Sequence, residues 1–282
     1  MMICLIIPTY NAGTGFKKLL QELDMQSLQP EIRLVVDSGS QDGTEELAKK
    51  YGWQVLRIPN DKFSHGGTRD MALKYILQQI PADIVIYLTQ DVAMPDRESL
   101  SCLVNAFEDP AVAAAYGRQL PHTAASVYAA VDREYNYPAE SQVKSMADAK
   151  KLGIKAAFLS DSFAAYRISV MKEIGGMPAI DICEDMYVAG RLLLAGYKIA
   201  YVAEARVYHS HEPKLRAMWQ RYRDIGRFHR QNKWLGDKFG SAGGEGIKLV
   251  RYQLSRVSRE NGILGIMKIL YIDAIRFIAY HL

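Results

Sequence analysis

The chain opens Met1-Met2-Ile3-Cys4-Leu5-Ile6-Ile7-Pro8-Thr9-Tyr10-Asn11, an apolar run that ends in a polar turn. Ile3–Ile7 has no helical period and reads as a strand buried on both faces of a parallel sheet. It lacks the basic flank and cleavage site of a leader peptide. Ile32–Val36 and Ile84–Leu88 are runs of the same kind, and Trp53–Ile58 reads as a further strand. Between them, Phe16–Met25, Gly43–Tyr51 and Thr68–Ile80 carry apolar residues three and four apart, the spacing of a helix packed on one side. Asp42 or Ser40 offers a cap for the second. This alternation predicts an α/β fold, a Rossmann-like, mostly parallel sheet with flanking helices.

Farther along, Asp96–Phe107 and Ser126–Tyr137 read as helices, and Ala111–Tyr116 and Phe163–Arg167 as strands. A helix over Glu184–Ala195, closed by Gly196, precedes two separate strands at Lys198–Val202 and Val207–Tyr208. Everything beyond Pro213 reads as helical. The expected organisation is therefore a catalytic domain over residues 1–212 and a C-terminal amphipathic helical region over 213–282. With 282 residues, 49% hydrophobic and 23% charged, the composition excludes a disordered or fibrous chain. The three cysteines, Cys4, Cys102 and Cys183, are odd in number and contain no CxxC pair, so a reducing, cytoplasmic setting is expected. The net charge of +4 hides an asymmetry: residues 213–259 hold 12 Lys and Arg against 3 acids, leaving the remainder acidic. A basic region on an acidic body points to an anionic contact or to a solvated helix face.

Ligands of open α/β sheets bind beyond the carboxyl ends of the strands. Those ends read Pro8-Thr9-Tyr10-Asn11, then Asp37-Ser38-Gly39-Ser40-Gln41-Asp42-Gly43, then Thr89-Gln90-Asp91. No G-x-G-x-x-G turn follows the first strand and no G-x-x-x-x-G-K-[ST] occurs, which excludes the dinucleotide and P-loop readings.

These segments, taken in order with Glu184-Asp185, resemble the family 2 inverting glycosyltransferases of GT-A fold. Within that family Phe63-Ser64-His65-Gly66-Gly67-Thr68-Arg69 resembles the signature of rhamnosyltransferases that use dTDP-L-rhamnose in bacterial cell-surface polysaccharide synthesis. The resemblance implies a nucleotide-sugar site formed by Pro8, Thr9, Tyr10, Asn11, Asp37, Gly39, His65, Gly67, Arg69, Gln90 and Asp91. Asp37 would accept the N3–H of thymine, and Arg69 would meet the diphosphate, a match for a guanidinium fork. Asp91 would hold the divalent cation, Mn²⁺ or Mg²⁺, although the family's D-x-D is reduced here to Thr89-Gln90-Asp91. His209, with His211 as the alternative, would be a second metal ligand. An inverting displacement needs one base, and Asp185 matches it; the first turn of a helix would keep its carboxylate ionised. Glu184 and Asp161 are expected on the acceptor side. The resemblance implies a saccharide acceptor carried on a polyprenyl diphosphate. A UDP-hexose donor and a non-catalytic glycan-binding relative are the competing readings. Nucleic acid is not an expected partner, since no zinc finger or RNA-binding signature occurs.

Across Ile247–Arg259, Lys248, Arg251, Arg256 and Arg259 share an arc of about 140°, opposite Ile247, Val250, Leu254 and Val257. In Gly262–Leu282, Lys268, Asp273 and Arg276 share a similar arc. Those charges argue against a spanning helix and favour one lying at the membrane surface, on the inner face of the plasma membrane. Packing on the catalytic domain or in a homodimer is the alternative.

Overall fold

A computed structural model describes residues 1–212 and 214–282 of the chain. Pro213, where the helical region was expected to begin, lies outside the described residues. The first half alternates β1 (Ile3–Thr9), α1 (Gly13–Asp24), β2 (Ile32–Asp37), α2 (Thr44–Lys50), β3 (Gln54–Arg57), α3 (His65–Leu77) and β4 (Ile84–Leu88). Next come α4 (Ser99–Asn105), β5 (Val112–Leu120), α5 (Val127–Asn136), the short β6 (Gln142–Lys144) and α6 (Ala149–Leu152). β7 (Phe163–Arg167), α7 (Ile168–Glu173), α8 (Glu184–Leu194) and β8 (Lys198–Tyr208) complete the body. Three helices follow: α9 (Leu215–Gln231), α10 (Lys233–Phe239) and α11 (Ala242–His281), the last broken at Gly262 where φ is 56°.

Among the described residues, eight strands form one sheet in the order β3-β2-β1-β4-β7-β5-β8-β6. β1 is parallel to β2 and β4, β2 to β3, and β5 to β8. β7 is antiparallel to both β4 and β5, and β6 to β8. Because β7 is reversed against both neighbours, β5 and β8 run the same way as β1 to β4. Their carboxyl ends therefore open on one edge, where the site is built.

The apolar runs are buried on both faces, as a strand period of two requires. Cys4, Ile6, Leu34, Val36, Val85 and Tyr87 belong to a core that includes Leu73 and Ile76 of α3 and Leu192 of α8. Leu5, Ile7, Val35, Ile84 and Ile86 face the opposite core, with Leu20 of α1 and Leu103 of α4.

Three elements differ from their expected form. The two strands expected at 198–202 and 207–208 are one strand, in which buried Ala203, Ala205 and Val207 alternate with exposed Glu204 and Arg206. Alanine carries the inward positions there, and a register shift opposite Gly117 and Arg118 absorbs the extra residues. β6 was not expected; Gln142 and Val143 are exposed on an edge strand, which needs no apolar pattern. The helix expected from Asp96 starts at Ser99, since Asp96 accepts hydrogen bonds from the Ser99 hydroxyl and the Glu98 N–H.

The charged arc of the final helix faces α5, with Arg276 buried and Lys268 exposed. Arg276 pairs with Asp132 of α5 at 2.7 Å and with Asp273 at 3.2 Å, and the Lys268 ammonium lies 4.1 Å from the centre of the Tyr128 ring. Ile263, Leu264, Met267, Leu270, Tyr271, Phe277 and Ile278 are left exposed on the outer side. Among the described residues, no helix is long and apolar enough to cross a membrane.

Candidate active site

The ends of β1 and β2 are clasped together by Asp37. Its Oδ1 accepts the backbone N–H groups of Gly39 and Ser40 at 2.9 and 2.7 Å, and its Oδ2 accepts the hydroxyls of Thr9 and Ser40 at 2.8 and 2.6 Å. Four donors fill the acceptor capacity of a carboxylate. Asp37 and Thr9 are buried, so Asp37 has no lone pair free for a thymine N3–H, and the expected contact is not the one this geometry offers. The clasp instead shapes the rim. Asn11, at φ 45°, donates its N–H to the Ser40 hydroxyl and accepts from the Gln41 N–H, while the Gly13 N–H reaches Asp42. Gln90 holds the peptide groups of Tyr10 from both sides, accepting its N–H at 2.8 Å and donating to its carbonyl at 3.2 Å. Tyr10, Asn11, Gln41 and Asp42 are exposed along this rim, with Gly39 and the neighbouring Pro8 half-buried.

Across the rim, Asp91 meets two histidines. Its carboxylate lies 3.5 Å from His209 Nε2 and 3.2 Å from His211 Nε2, and the two ring nitrogens are 3.0 Å apart. The donor atoms all fall within 4.8 Å of one another, so the three side chains can hold one metal ion. Two imidazoles and a carboxylate are a fitting donor set for a first-row divalent ion. Both histidines lie in the segment just past Tyr208, where β8 ends, and converge on Asp91. Burial pushes the Asp91 carboxyl up, but the facing His209 and His211 rings outweigh it and hold it well below the usual range. Burial keeps the His209 imidazole below its ordinary value despite Asp91, hence neutral and able to ligate.

The third part is a buried acid cluster under the start of α8. Arg69 is 2% exposed; its Nη1 lies 2.9 Å from Glu184, and its Nε is 3.8 Å from Asp161. The Tyr166 hydroxyl donates to Asp161 at 2.5 Å. Arg69 was expected at the diphosphate; its guanidinium is instead enclosed among carboxylates. Glu184 and Asp161, expected on the acceptor side, are buried with it. The glycines of the motif explain this placement. A methyl group at Gly66 would overlap the Pro178 carbonyl and press on Glu184, and one at Gly67 would strike the Ser64 hydroxyl that caps α3. Only glycine lets α3 approach the 178–180 segment closely enough for the Gly66 N–H to donate to the Ile180 carbonyl. His65, the first residue of α3, stays exposed with its ring edge-on to Phe63.

Asp185 is the half-buried member. Its Oδ1 accepts the Met186 N–H at 2.7 Å and its Oδ2 the Asp161 N–H at 3.4 Å. Burial, then the nearby Asp161 charge, raises its carboxyl to about 6, against the lowering expected from a helix N-terminus alone. Burial and the adjacent Asp185 push Glu184 higher still, to about 8. One arginine faces three carboxylates, so the cluster retains a proton near neutral pH and Asp185 is its more acidic, more open member. Gln119, Ser160 and Tyr166, which support both halves, carried no sequence signal: each is a polar residue inside or beside a strand, recognisable only once the strands are paired.

A family model described as glycosyl transferase family 2 matches residues 4–175, more than half of the chain. The chain belongs to glycosyl transferase family 2. This glycosyltransferase is 43% identical over 284 residues to the O-antigen chain rhamnosyltransferase RfbN of Salmonella typhimurium, covering 100% of the chain and 89% of that relative. It is 42% identical over 280 residues to the O-antigen chain rhamnosyltransferase WbaN of Salmonella anatum, covering 99% and 88%. Among solved structures, the mannosyltransferase PcManGT of Pyrobaculum calidifontis, in complex with GDP-Man and Mn²⁺, matches with a TM-score of 0.64 at 15% identity. That match covers 98% of this chain and 85% of that one. The expected GT-A fold with a C-terminal helical extension is the fold observed.

Proposed function

We propose that this glycosyltransferase moves L-rhamnose from dTDP-L-rhamnose to a saccharide acceptor with inversion at the anomeric carbon. The observation that carries the reading is 42–43% identity, over essentially the whole chain, to two O-antigen chain rhamnosyltransferases. In the proposed reaction the acceptor hydroxyl oxygen bonds to the anomeric carbon as the bond to the nucleotide diphosphate breaks on the opposite face. The hydroxyl proton passes to the Asp185 carboxylate, and dTDP leaves. Asp185 suits this role because it is ionised at neutral pH yet basic enough to take a proton. The rim of Tyr10, Asn11, Gly39 and Gln90 receives the nucleoside, and Arg69 acts beneath the site by holding Glu184 and Asp161.

Asp91, His209 and His211 would hold the divalent cation, which when bound offsets negative charge on the diphosphate. Two imidazole ligands favour Mn²⁺ over Mg²⁺, whose affinity is for oxygen. Turnover of dTDP-L-rhamnose with dTDP release, measured against UDP-hexoses with an O-antigen acceptor extract, tests the donor. Preference for a UDP-sugar refutes it, and no turnover of any donor favours a non-catalytic role.

A lipid-linked acceptor accords with the outer side of α11, where Leu264 is 76% and Phe277 65% exposed. We assign this face to an anionic bilayer surface, since residues 213–259 carry 12 basic against 3 acidic side chains. The paired change Leu264→Glu and Phe277→Glu is expected to abolish co-sedimentation with phosphatidylglycerol vesicles. A concentration-dependent dimer that the same changes dissolve, with no vesicle binding, gives the face to a second subunit instead.

A further inference from the structure

β5 lies between β7 and β8, and near its carboxyl end stands a buried glutamine, Gln119, 2% exposed. Its Oε1 lies 2.8 Å from His209 Nδ1, and its Nε2 donates to the Ser160 hydroxyl at 2.9 Å. The first contact belongs to the β8 end of the site, the second to the segment that leads through Asp161 into β7. An amide oxygen can only accept, so the ring nitrogen facing it must carry the hydrogen. His209 Nε2 is then left with its lone pair, aimed at the point where Asp91 and His211 converge. His211, 3.0 Å away, fits the same arrangement by donating its own Nε2–H to that lone pair when no ion is bound.

We propose that Gln119 is a positioning residue that fixes His209 in the tautomer able to ligate a divalent cation. The inference rests on the reading of Asp91, His209 and His211 as a cation site. A buried ring without this partner can take either tautomer, and one of the two presents a hydrogen where the ion must sit. Ser160 holds the other end of the amide, so the same side chain ties the cation site to the strand entry beside the base.

The test is Mn²⁺ titration of the full chain followed by electron paramagnetic resonance, for wild type, Gln119→Leu, Gln119→Glu and His209→Ala. Gln119→Leu keeps the volume and removes the acceptor; it is expected to weaken Mn²⁺ binding about 10- to 100-fold. Gln119→Glu retains an acceptor for Nδ1–H, and the Ser160 hydroxyl can donate to it, so binding stays close to wild type. Nitrogen-15 spectra of the metal-free protein supply a second readout: His209 is expected as the Nδ1–H tautomer in wild type and shifted toward Nε2–H in Gln119→Leu. Wild-type affinity in Gln119→Leu, or equal losses in the Leu and Glu variants, overturns the proposal. If wild type and His209→Ala bind Mn²⁺ equally poorly, the cation site itself fails, while the tautomer spectra still decide whether Gln119 sets the ring.

Discussion

Gly66→Ala probes the contact that brings α3 onto the segment leading to Asp185, the proposed base. The added methyl carbon would lie 3.1 Å from Glu184 Cβ and would overlap the Pro178 carbonyl oxygen, so α3 and residues 178–184 must separate by on the order of 1 Å. Overpacking of this kind costs about 1–3 kcal/mol, and weakening the hydrogen bond from Gly66 to Ile180 adds about 1 kcal/mol. For a chain of this size each kcal/mol lowers the melting temperature by roughly 2–4 °C. The effect on turnover is expected to be larger than the effect on stability. Asp185 follows the displaced segment, and a shift of about 1 Å in a reacting group lowers rate about 100-fold. Gly15 is the control, because a methyl group there meets nothing within 4 Å and its φ is not positive. Gly15→Ala in α1 should leave activity unchanged and gain up to about 1 kcal/mol from helix propensity. Thermal unfolding and kcat/KM of the two variants, measured side by side, decide the matter; if Gly66→Ala is as stable and as active as Gly15→Ala, the account of the glycine motif as a close-packing device is wrong.

Asp185→Asn is expected to lower kcat by at least about 100- to 10,000-fold while donor affinity is kept; loss of donor affinity without loss of kcat would remove Asp185 from the role of base. In wild type, kcat should rise with pH to a half-maximum near 6, above the ordinary carboxylate range, because burial raises the Asp185 carboxyl; a half-maximum near 4 contradicts this. The same shift has a sign for folding. With its folded value above its unfolded one, Asp185 favours the folded state least once it is ionised, so its contribution declines as pH rises from about 4 to about 6 and stays low above that. Arg69→Met leaves Glu184 and Asp161 without their cation and is expected to cost about 3–5 kcal/mol in denaturant unfolding, part of which Glu184→Leu recovers in the double variant. If Arg69 binds the diphosphate instead, the single change raises the donor KM with stability intact.

The framework of β1, β2 and β4 was legible because strands buried on both faces are apolar at nearly every position, Arg33 of β2 being the exception short of the polar strand ends. The end of β8 was half legible, since alanine is too small to mark an inward position and Glu204 and Arg206 disguise the strand. That a histidine after β8 would face Asp91 was readable from their places at strand ends; that His209 and His211 both do so was not, since His211 stood only as the alternative and lies beyond the strand. The burial of Asp37 and Arg69 did not follow. A carboxylate or guanidinium at the carboxyl edge of a sheet can face a ligand or its own neighbours, and only the four donors around Asp37 and the acids around Arg69 show which. Gln119 was silent for the same reason: its partners lie 41 and 90 residues away in sequence.

The α5-facing charges of the last helix bear on any attempt to shorten the protein. A hydropathy reading treats Arg256, Lys268 and Arg276 as features of a tail that can be removed. Asp132 and Glu134 on α5 have Arg276 and Arg256 as their ion-pair partners, and Met218, Tyr222 and Tyr128 pack against Val257, Ile269 and Ile272. Cutting before residue 242 would leave Asp132 and Glu134 without these partners and uncover the apolar seat they border. The shortened protein would lose a greasy exterior and acquire a second exposed surface, so sequence hydropathy is a poor guide to which version behaves better in solution.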